Sequence, residues 1–402
     1  MLKKILYFFL FLGIVFTGVT AYSFWQYNLP LVNPLSFIET YIAPQKQTGR
    51  VVYGFFPYWN LKYADKLHIN ELTHFAYFAI DLNKDGSINK KVNNKELEPG
   101  WNKLRSNELK KILYQIKLLN QRSVITVTAM DTDLIESIIQ NDSNRENAIN
   151  SILDIYRSEN YDGINIDFEY VGLPDETTRK LFTSFVNSIK NRCMVINTNC
   201  QIDIDVFADS GRKPRLQNLK DLSTVADHII VMTYDYYRKT STQAGPVAPL
   251  RGACTDQITT NCLEQDINTN ISEITKLVPS NKIILGIPFY GYEWQTVNTD
   301  FLSNTYSKTG SLASYQRIMS IFGDPKVSSV SAHWSSSTLS PYLSYVEDNN
   351  IYQIQFEDPR SLEMKLNLVK SAGLGGIAIW AIGYEVPYLD IWQPISDYVL
   401  GQ

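Results

Sequence analysis

A chain of 402 residues suffices for one large domain or two ordinary ones, and its 44% hydrophobic and 19% charged residues exclude a disordered chain. A net charge of -4 gives no electrostatic reason to expect nucleic acid as a partner. Aromatic residues make up 12%, with 25 Tyr and 7 Trp, which serves either an aromatic core or a cleft whose rings stack on sugars.

The N-terminus carries a targeting signal. Lys3 and Lys4 precede an apolar run, Ile5 to Phe24, of about 20 residues, long enough to span a bilayer as a helix. The lysines are expected to stay cytoplasmic and the rest of the chain to be exported. Val19-Thr20-Ala21 has the small residues of a cleavage site, so residues 1–24 read as a signal peptide or membrane anchor. Residues 25–48 contain three prolines and little periodicity, and read as a linker.

From Val51 onward, short apolar runs alternate with amphipathic stretches. The runs are Val51–Phe56, His74–Ile80, Val124–Ala129, Gly163–Phe168, Ile202–Phe207, His228–Thr233, Lys282–Pro288 and Gly376–Ala381. Helical patterns lie between them, among them Asn107–Asn120, Asn144–Glu159 and Glu176–Arg192. Buried strands alternating with helices imply a parallel sheet, and eight units suit an α/β (β/α)8 barrel over residues 49–402. An open doubly wound sheet is the alternative, but no Gly-rich phosphate loop follows the first strand. The last two runs are far apart. Residues from about Glu293 to Gln355 hold strand-like pieces (Ser344–Val346, Tyr352–Phe356) and a helix-like Ser311–Ile321, which read as a small α+β insertion walling the active-site face.

Cys193 and Cys200 are close in sequence, as are Cys254 and Cys262, so each pair is able to close a short loop in an oxidising compartment. Four cysteines allow three pairings. The spacing lacks the tight Cys-x-x-Cys of a zinc site, and His68, His74, His228 and His333 are scattered, so no metal or other cofactor is expected.

The fourth run reads Asp162-Gly163-Ile164-Asn165-Ile166-Asp167-Phe168-Glu169. Side chains alternate in a strand, so Asn165, Asp167 and Glu169 share one face and the apolar residues the other. The polar face is expected to point into the barrel, with Glu169 at the C-terminal mouth where such barrels do chemistry. Burying two neighbouring acids is costly, and the cost fits a carboxyl kept protonated as a general acid. A hydrogen-bond network without chemistry is the plainer reading. Positions two apart on one strand lie about 6.6 Å apart. They suit one acid that protonates and a neighbour that orients, rather than two carboxylates facing each other across a sugar.

This run resembles the signature of glycoside hydrolase family 18, the chitinase family, written Asp-Gly-x-Asp-x-Asp-x-Glu. Met232-Thr233-Tyr234-Asp235 resembles the family's sixth-strand motif, and Gly376-Ile377-Ala378-Ile379-Trp380 its eighth-strand motif. Phe356-Glu357-Asp358 with Ser361 and Lys365 resembles the segment leading into that strand. The resemblance implies substrate-assisted, retaining hydrolysis of β-1,4 bonds in N-acetylglucosamine polymers such as chitin. Glu169 would protonate the glycosidic oxygen, and the substrate's N-acetyl oxygen would attack the anomeric carbon. Asp167 would hold the acetamido N–H, Tyr234 would bind the same group, and Asp235 and Met232 would line the site. Trp380 reads by itself as core; its place in the motif makes it the floor of the sugar site. Phe55 and Tyr58, with Tyr53 and Trp59 beside them, are candidate subsite residues or simply pack, and Trp334 in the insertion is a weaker candidate. Asp162 and Gly163 are expected to be structural residues near the site.

Asn165 departs from the pattern, where an Asp would share a proton or charge with the next acid. A neutral Asn is expected to hydrogen-bond Asp167 and make it more acidic. The same form resembles the branch with spore-cortex and peptidoglycan N-acetylglucosaminidases, the second functional reading. A third is a non-catalytic chitin-binding lectin, against which Glu169, Asp167 and Tyr234 argue. The expected partner is an N-acetylglucosamine-containing polysaccharide, met by a monomer secreted or tethered to the membrane outside the cytoplasm.

Overall fold

The computed structural model describes residues 49–93, 95–254 and 262–401. The segments expected at 1–24 and 25–48 lie outside them. Among the described residues, no helix is long and apolar enough to cross a membrane.

Eight strands close into a parallel barrel: β1 Val51–Pro57, β2 His74–Asp81, β3 Arg122–Ala129, β4 Gly163–Phe168, β5 Gln201–Phe207, β6 His228–Met232, β7 Ile283–Pro288 and β8 Gly376–Trp380. They run in sequence order around the ring, with β8 closing against β1. Each apolar run of the sequence is one barrel strand. β4 is therefore diametrically opposite β8.

Outward residues of the strands bury against the helices. Ile164, Ile166 and Phe168 of β4 are at most 1% exposed. Phe168 meets Phe182 and Phe185 of the helix Glu176–Ile196, with ring centroids 5.8 and 5.7 Å apart. Fully burying such a ring contributes about 1.5–3 kcal/mol. The helix starts where Asp175 accepts the Thr178 N–H at 2.7 Å, an ordinary N-cap. It ends at the disulfide Cys193–Cys200, which ties it to the start of β5. Cys254 and Cys262 form the second bridge, so both short-loop pairings are present.

Inside the barrel the lining is divided. Tyr53, Phe55, Ala76, Val124, Ile230, Ile284 and Ala378 form an apolar cluster from six strands. β4 and β5 instead face inward with Asn165, Asp167, Gln201, Asp203 and Asp205, all buried.

The insertion begins two residues after β7, earlier than the sequence pattern indicates. It is a five-stranded antiparallel sheet in the order 311–314, 290–295, 350–355, 340–347, 327–335. The helix expected over Ser311–Ile321 is shorter. Ser311–Ser314 pairs with Tyr290–Glu293, and the helix Tyr315–Ser320 starts at Ser314, whose hydroxyl accepts the Arg317 N–H at 3.2 Å. Strand pairing and that cap override the local helical pattern. The return to the barrel is fixed by a buried ion pair. Lys365 Nζ lies 2.8 and 2.7 Å from the Glu357 oxygens, and Ser361 donates to Glu357 Oε2 at 2.8 Å.

Candidate active site

β4 sets the site. Asn165 is fully buried, Asp167 is 4% exposed and Glu169, one residue past the strand, is half-buried. The Glu169 N–H still donates to Ala129 O at 2.9 Å, so the strand's direction carries its side chain to the mouth. Burial raises the Glu169 pKa, Arg238 opposes that, and Asp235 adds to it. The net direction is upward, towards the protonated form that donates a proton. Asp167 is pushed well above the usual carboxylate range by burial, then by Asp205 and Glu169. Its Oδ1 is buried and meets no hydrogen-bond donor among the described residues.

The effect expected of Asn165 is not what the structure shows. Asn165 Nδ2 donates to Asp205 Oδ1 at 2.9 Å, not to Asp167. Asp205, from β5, is a second buried carboxyl on the inner face, so Asp167 is less acidic than usual, not more. Burial also pushes Asp205 well up; the Asn165 hydrogen bond pulls it down, and Asp203 and Glu169 push it up. Asp205 was legible in the sequence. Gln201, Asp203 and Asp205 alternate with Ile202, Ile204 and Val206 in the same way as the polar residues of β4.

Deeper in the barrel a second polar group forms. Gln201 Nε2 donates to both Asp203 oxygens at 2.9 and 2.7 Å, and its Oε1 accepts from His74 Nε2 at 3.0 Å. His228 Nδ1 lies 3.0 Å from Asp203 Oδ1. Burial favours protonated Asp203, but His228, His74 and Gln201 outweigh it and hold its pKa low. Burial opposes the charge on His228, yet Asp203 holds its pKa up. His74 is pushed down to about 4, chiefly by burial. These histidines, scattered in sequence, meet here as parts of the scaffold.

Tyr234 follows β6 and faces four acids. Burial, then Asp205, Asp167, Asp235 and Glu169, keep its hydroxyl protonated. Its ring needs the bare backbone of β7: a Cβ on Gly286 would stand 2.9 Å from Tyr234 Cε1. Asp235 has a φ of +61°, a conformation Asp tolerates better than most residues. It accepts hydrogen bonds from Tyr290 and, at 2.9 Å, from Tyr292. Both tyrosines come from the first strand of the insertion, which thus builds one wall of the site. Neither was singled out in the sequence.

A cavity of about 400 Å³ opens beside Glu169, lined by Met232, Tyr234, Asp235, Arg238, Phe207, Asp209, Arg215, Glu264 and Gln265. Asp209 and Arg215 pair through two hydrogen bonds of 2.9 and 2.7 Å and stiffen its wall. Arg238 is the exposed cation of this group; its Nε lies 4.0 Å from Asp235 Oδ2.

Opposite Glu169, Trp380 ends β8 half-buried. Its ring meets Phe78 at 4.5 Å, Phe55 at 5.9 Å and Trp59 at 6.5 Å. Phe55 is only 2% exposed, so it supports Trp380 from below and offers no face to a sugar. Tyr58 is half-buried with its ring edge-on to Trp59 at 4.9 Å, and Trp59 carries the exposed surface. Tyr53 is buried and stacks on His74. Trp334 lies under the Arg360 guanidinium, 3.8 Å from its ring centre. Asp162 and Gly163 stand at the other end of β4, with Gly163 roughly 20 Å along the strand from Glu169. Asp162 accepts from Ser123 N and Oγ, each at 2.9 Å, and locks β4 to β3.

The profile of the glycosyl hydrolases family 18 matches residues 44–385, most of the chain. The chain belongs to this family. Among curated relatives of this family 18 chain is a Bacillus subtilis protein named as a putative sporulation-specific glycosylase, 26% identical over 64% of the chain. The aligned part spans 56% of that relative, just over half its length. The cortical fragment-lytic enzyme of Bacillus subtilis is 22% identical over 84% of the chain and 70% of its own. A family 18 chitinase from Cycas revoluta, solved with (GlcNAc)3, has the same fold, with a TM-score of 0.71 at 16% identity over 87% of this chain and 99% of that one.

Proposed function

We propose that this family 18 chain is a retaining glycosidase that cleaves β-1,4 bonds of N-acetylglucosamine polymers, chitin and its oligomers first, with the substrate's acetamide as nucleophile. The observation that carries the reading is the inward line Asn165–Asp167–Glu169, with Glu169 at the mouth and Tyr234 beside it. Glu169 gives its proton to the glycosidic oxygen as that bond breaks. The acetamido carbonyl oxygen bonds to the anomeric carbon. The Asp167 oxygen without a donor accepts the acetamido N–H and balances the positive charge that develops. The protonated Tyr234 hydroxyl donates to the acetamido oxygen. Water then opens the intermediate and gives a proton back to Glu169. Family 18 is a known exception to the two-carboxylate scheme. Trp380, on its platform of Phe55 and Phe78, stacks under the sugar.

A second reading, an N-acetylglucosaminidase acting on peptidoglycan, is supported by Asn165 in its Asn-Ile-Asp-Phe-Glu context and by the likeness to the cortical fragment-lytic enzyme. The apolar run Ile5–Phe24 and the two disulfides support a place outside the cytoplasm, secreted or tethered.

Turnover of chromogenic N-acetylglucosamine oligomers by wild type and Glu169→Gln tests the reading. Equal activity, or a wild type that binds chitin without cleaving it, discards it. Parallel release of reducing ends from chitin and from purified peptidoglycan decides between the two polymers.

A further inference from the structure

Asp205 has no part in the reaction as described above, yet its position is built. β4 and β5 are in parallel register with Asn165 level with Asp203 and Ile166 level with Ile204. Asp205 therefore sits at the level of Asp167, on the neighbouring strand and the same inner face. It is 4% exposed, and Asn165 Nδ2 aims it by a 2.9 Å hydrogen bond to Oδ1. The groups around it are Asp203 on its own strand, Asn165, Asp167 and Glu169 from β4, Tyr234 from β6 and Tyr53 from β1. None of these is a cation. His228, whose Nδ1 lies 3.0 Å from Asp203 Oδ1, is committed to Asp203. Two buried acids at one level without a cation do not both ionise.

We propose that Asp205 is the positioning partner of Asp167 in the reaction: the pair holds a single proton, Asn165 holds one Asp205 oxygen so that the other is left to share the proton with Asp167, and the positive charge developing on the bound acetamide draws the negative charge to Asp167. In the resting pair the proton moves between one Asp205 oxygen and one Asp167 oxygen. As positive charge grows on the acetamide, the proton stays on Asp205 and the negative charge stays on Asp167, with no other bond made or broken. β5 thus supplies the carboxyl that the neutral side chain at position 165 does not. This rests on the substrate-assisted reading given above.

The test is a pH series of kcat and KM on chromogenic N-acetylglucosamine oligomers for wild type, Asp205→Asn and the exchange Asn165→Asp/Asp205→Asn, with thermal melts as control. Asp205→Asn is expected to lose at least about tenfold in kcat with KM within about twofold, and to move the acid limb of the profile to higher pH, because the Asp167 carboxylate loses the Asp205 O–H that donates to it. The exchange returns a carboxyl to the cluster from β4 and is expected to recover most of kcat and the position of the acid limb. Wild-type kcat and an unmoved limb in Asp205→Asn overturn the proposal. So does an exchange variant no better than Asp205→Asn while both melt like wild type, since that marks a packing role. If Asp205→Asn does not fold, Asn165→Asp alone decides: a third acid is expected to raise the acid limb, and an unmoved limb overturns the pairing. Asp167→Ala run alongside separates the levels. Loss there with a normal Asp205→Asn rejects only this inference, whereas near-normal Asp167→Ala rejects the substrate-assisted reading itself.

Discussion

The barrel interior holds two polar layers, one above the other, and they manage burial in opposite ways. In the lower layer, Asp203 faces His228 and both Asp203 oxygens receive Gln201, which in turn is held by His74. Charge is matched and the carboxylate is satisfied. In the upper layer, Asp167, Asp205 and Glu169 face one another beside a phenol, with the Asn165 amide reaching up to Asp205 and no buried cation among the described residues, and Asp167 keeps an oxygen without a donor. Natural interiors rarely leave such an oxygen, because the desolvation cost is about 1–3 kcal/mol. The lower layer is arranged to hold the barrel shut at its base. The upper layer is arranged to meet something that brings a donor and a developing positive charge.

That contrast is open to test. The largest effect belongs to Glu169→Gln, expected to lower kcat by about 10²–10⁴-fold with little change in melting temperature, read by oligomer hydrolysis and calorimetry. Asp203→Asn reverses the pattern. Breaking a buried pair costs about 3–5 kcal/mol of stability, read by denaturant unfolding, while kcat of the folded fraction stays within a few-fold. A collapse of kcat in a well-folded Asp203→Asn would erase the distinction between the layers.

Stability against pH probes the lower layer again. His74 is neutral in the fold, with a pKa pushed from 6.5 to about 4. Its contribution is complete above pH 6.5 and is lost as pH falls towards 4, about 3 kcal/mol in all. His228 works the other way: its raised pKa stabilises the fold below the unfolded value and that gain is lost as pH rises through the folded one. Unfolding from pH 7 to 4 is expected to show the His74 loss, and His74→Asn to flatten that part of the curve; an identical slope in the variant contradicts the assignment. Trp380→Ala is expected to raise KM about tenfold, with less effect on kcat, if the ring supports a bound sugar. The smallest effect is at Arg238. Removing its charge in Arg238→Gln leaves Glu169 harder to ionise, so the alkaline limb of kcat moves to higher pH, and a shift downward refutes the coupling.

Much of the upper layer is legible in the sequence because strand alternation is a strong signal. Asn165, Asp167 and Glu169 are on one face by spacing alone, and all eight barrel strands stand where short apolar runs are bounded by polar residues. What sequence does not show is which strands become neighbours across the interior. Asn165 meets Asp205 only because β4 and β5 adjoin in register, and that contact reverses the expected effect on Asp167. His74 and His228 lie far apart in the chain and meet only inside the closed barrel. Phe55 looks like a subsite residue in sequence because aromatic residues surround it, yet its inward position in β1 puts it under Trp380. The insertion hides Tyr290 and Tyr292 for a similar reason: antiparallel pairing, not local pattern, turns their hydroxyls to Asp235.

The upper layer's oxygen without a donor, and the acids around it, are read here as a seat for an acetamide. The most direct measurement compares wild-type turnover of an N-acetylglucosamine oligomer with that of the fully N-deacetylated oligomer of equal length. The account predicts cleavage of the first and none of the second, because the deacetylated sugar lacks the acetamido carbonyl oxygen that acts as nucleophile. Comparable turnover of the two would contradict it.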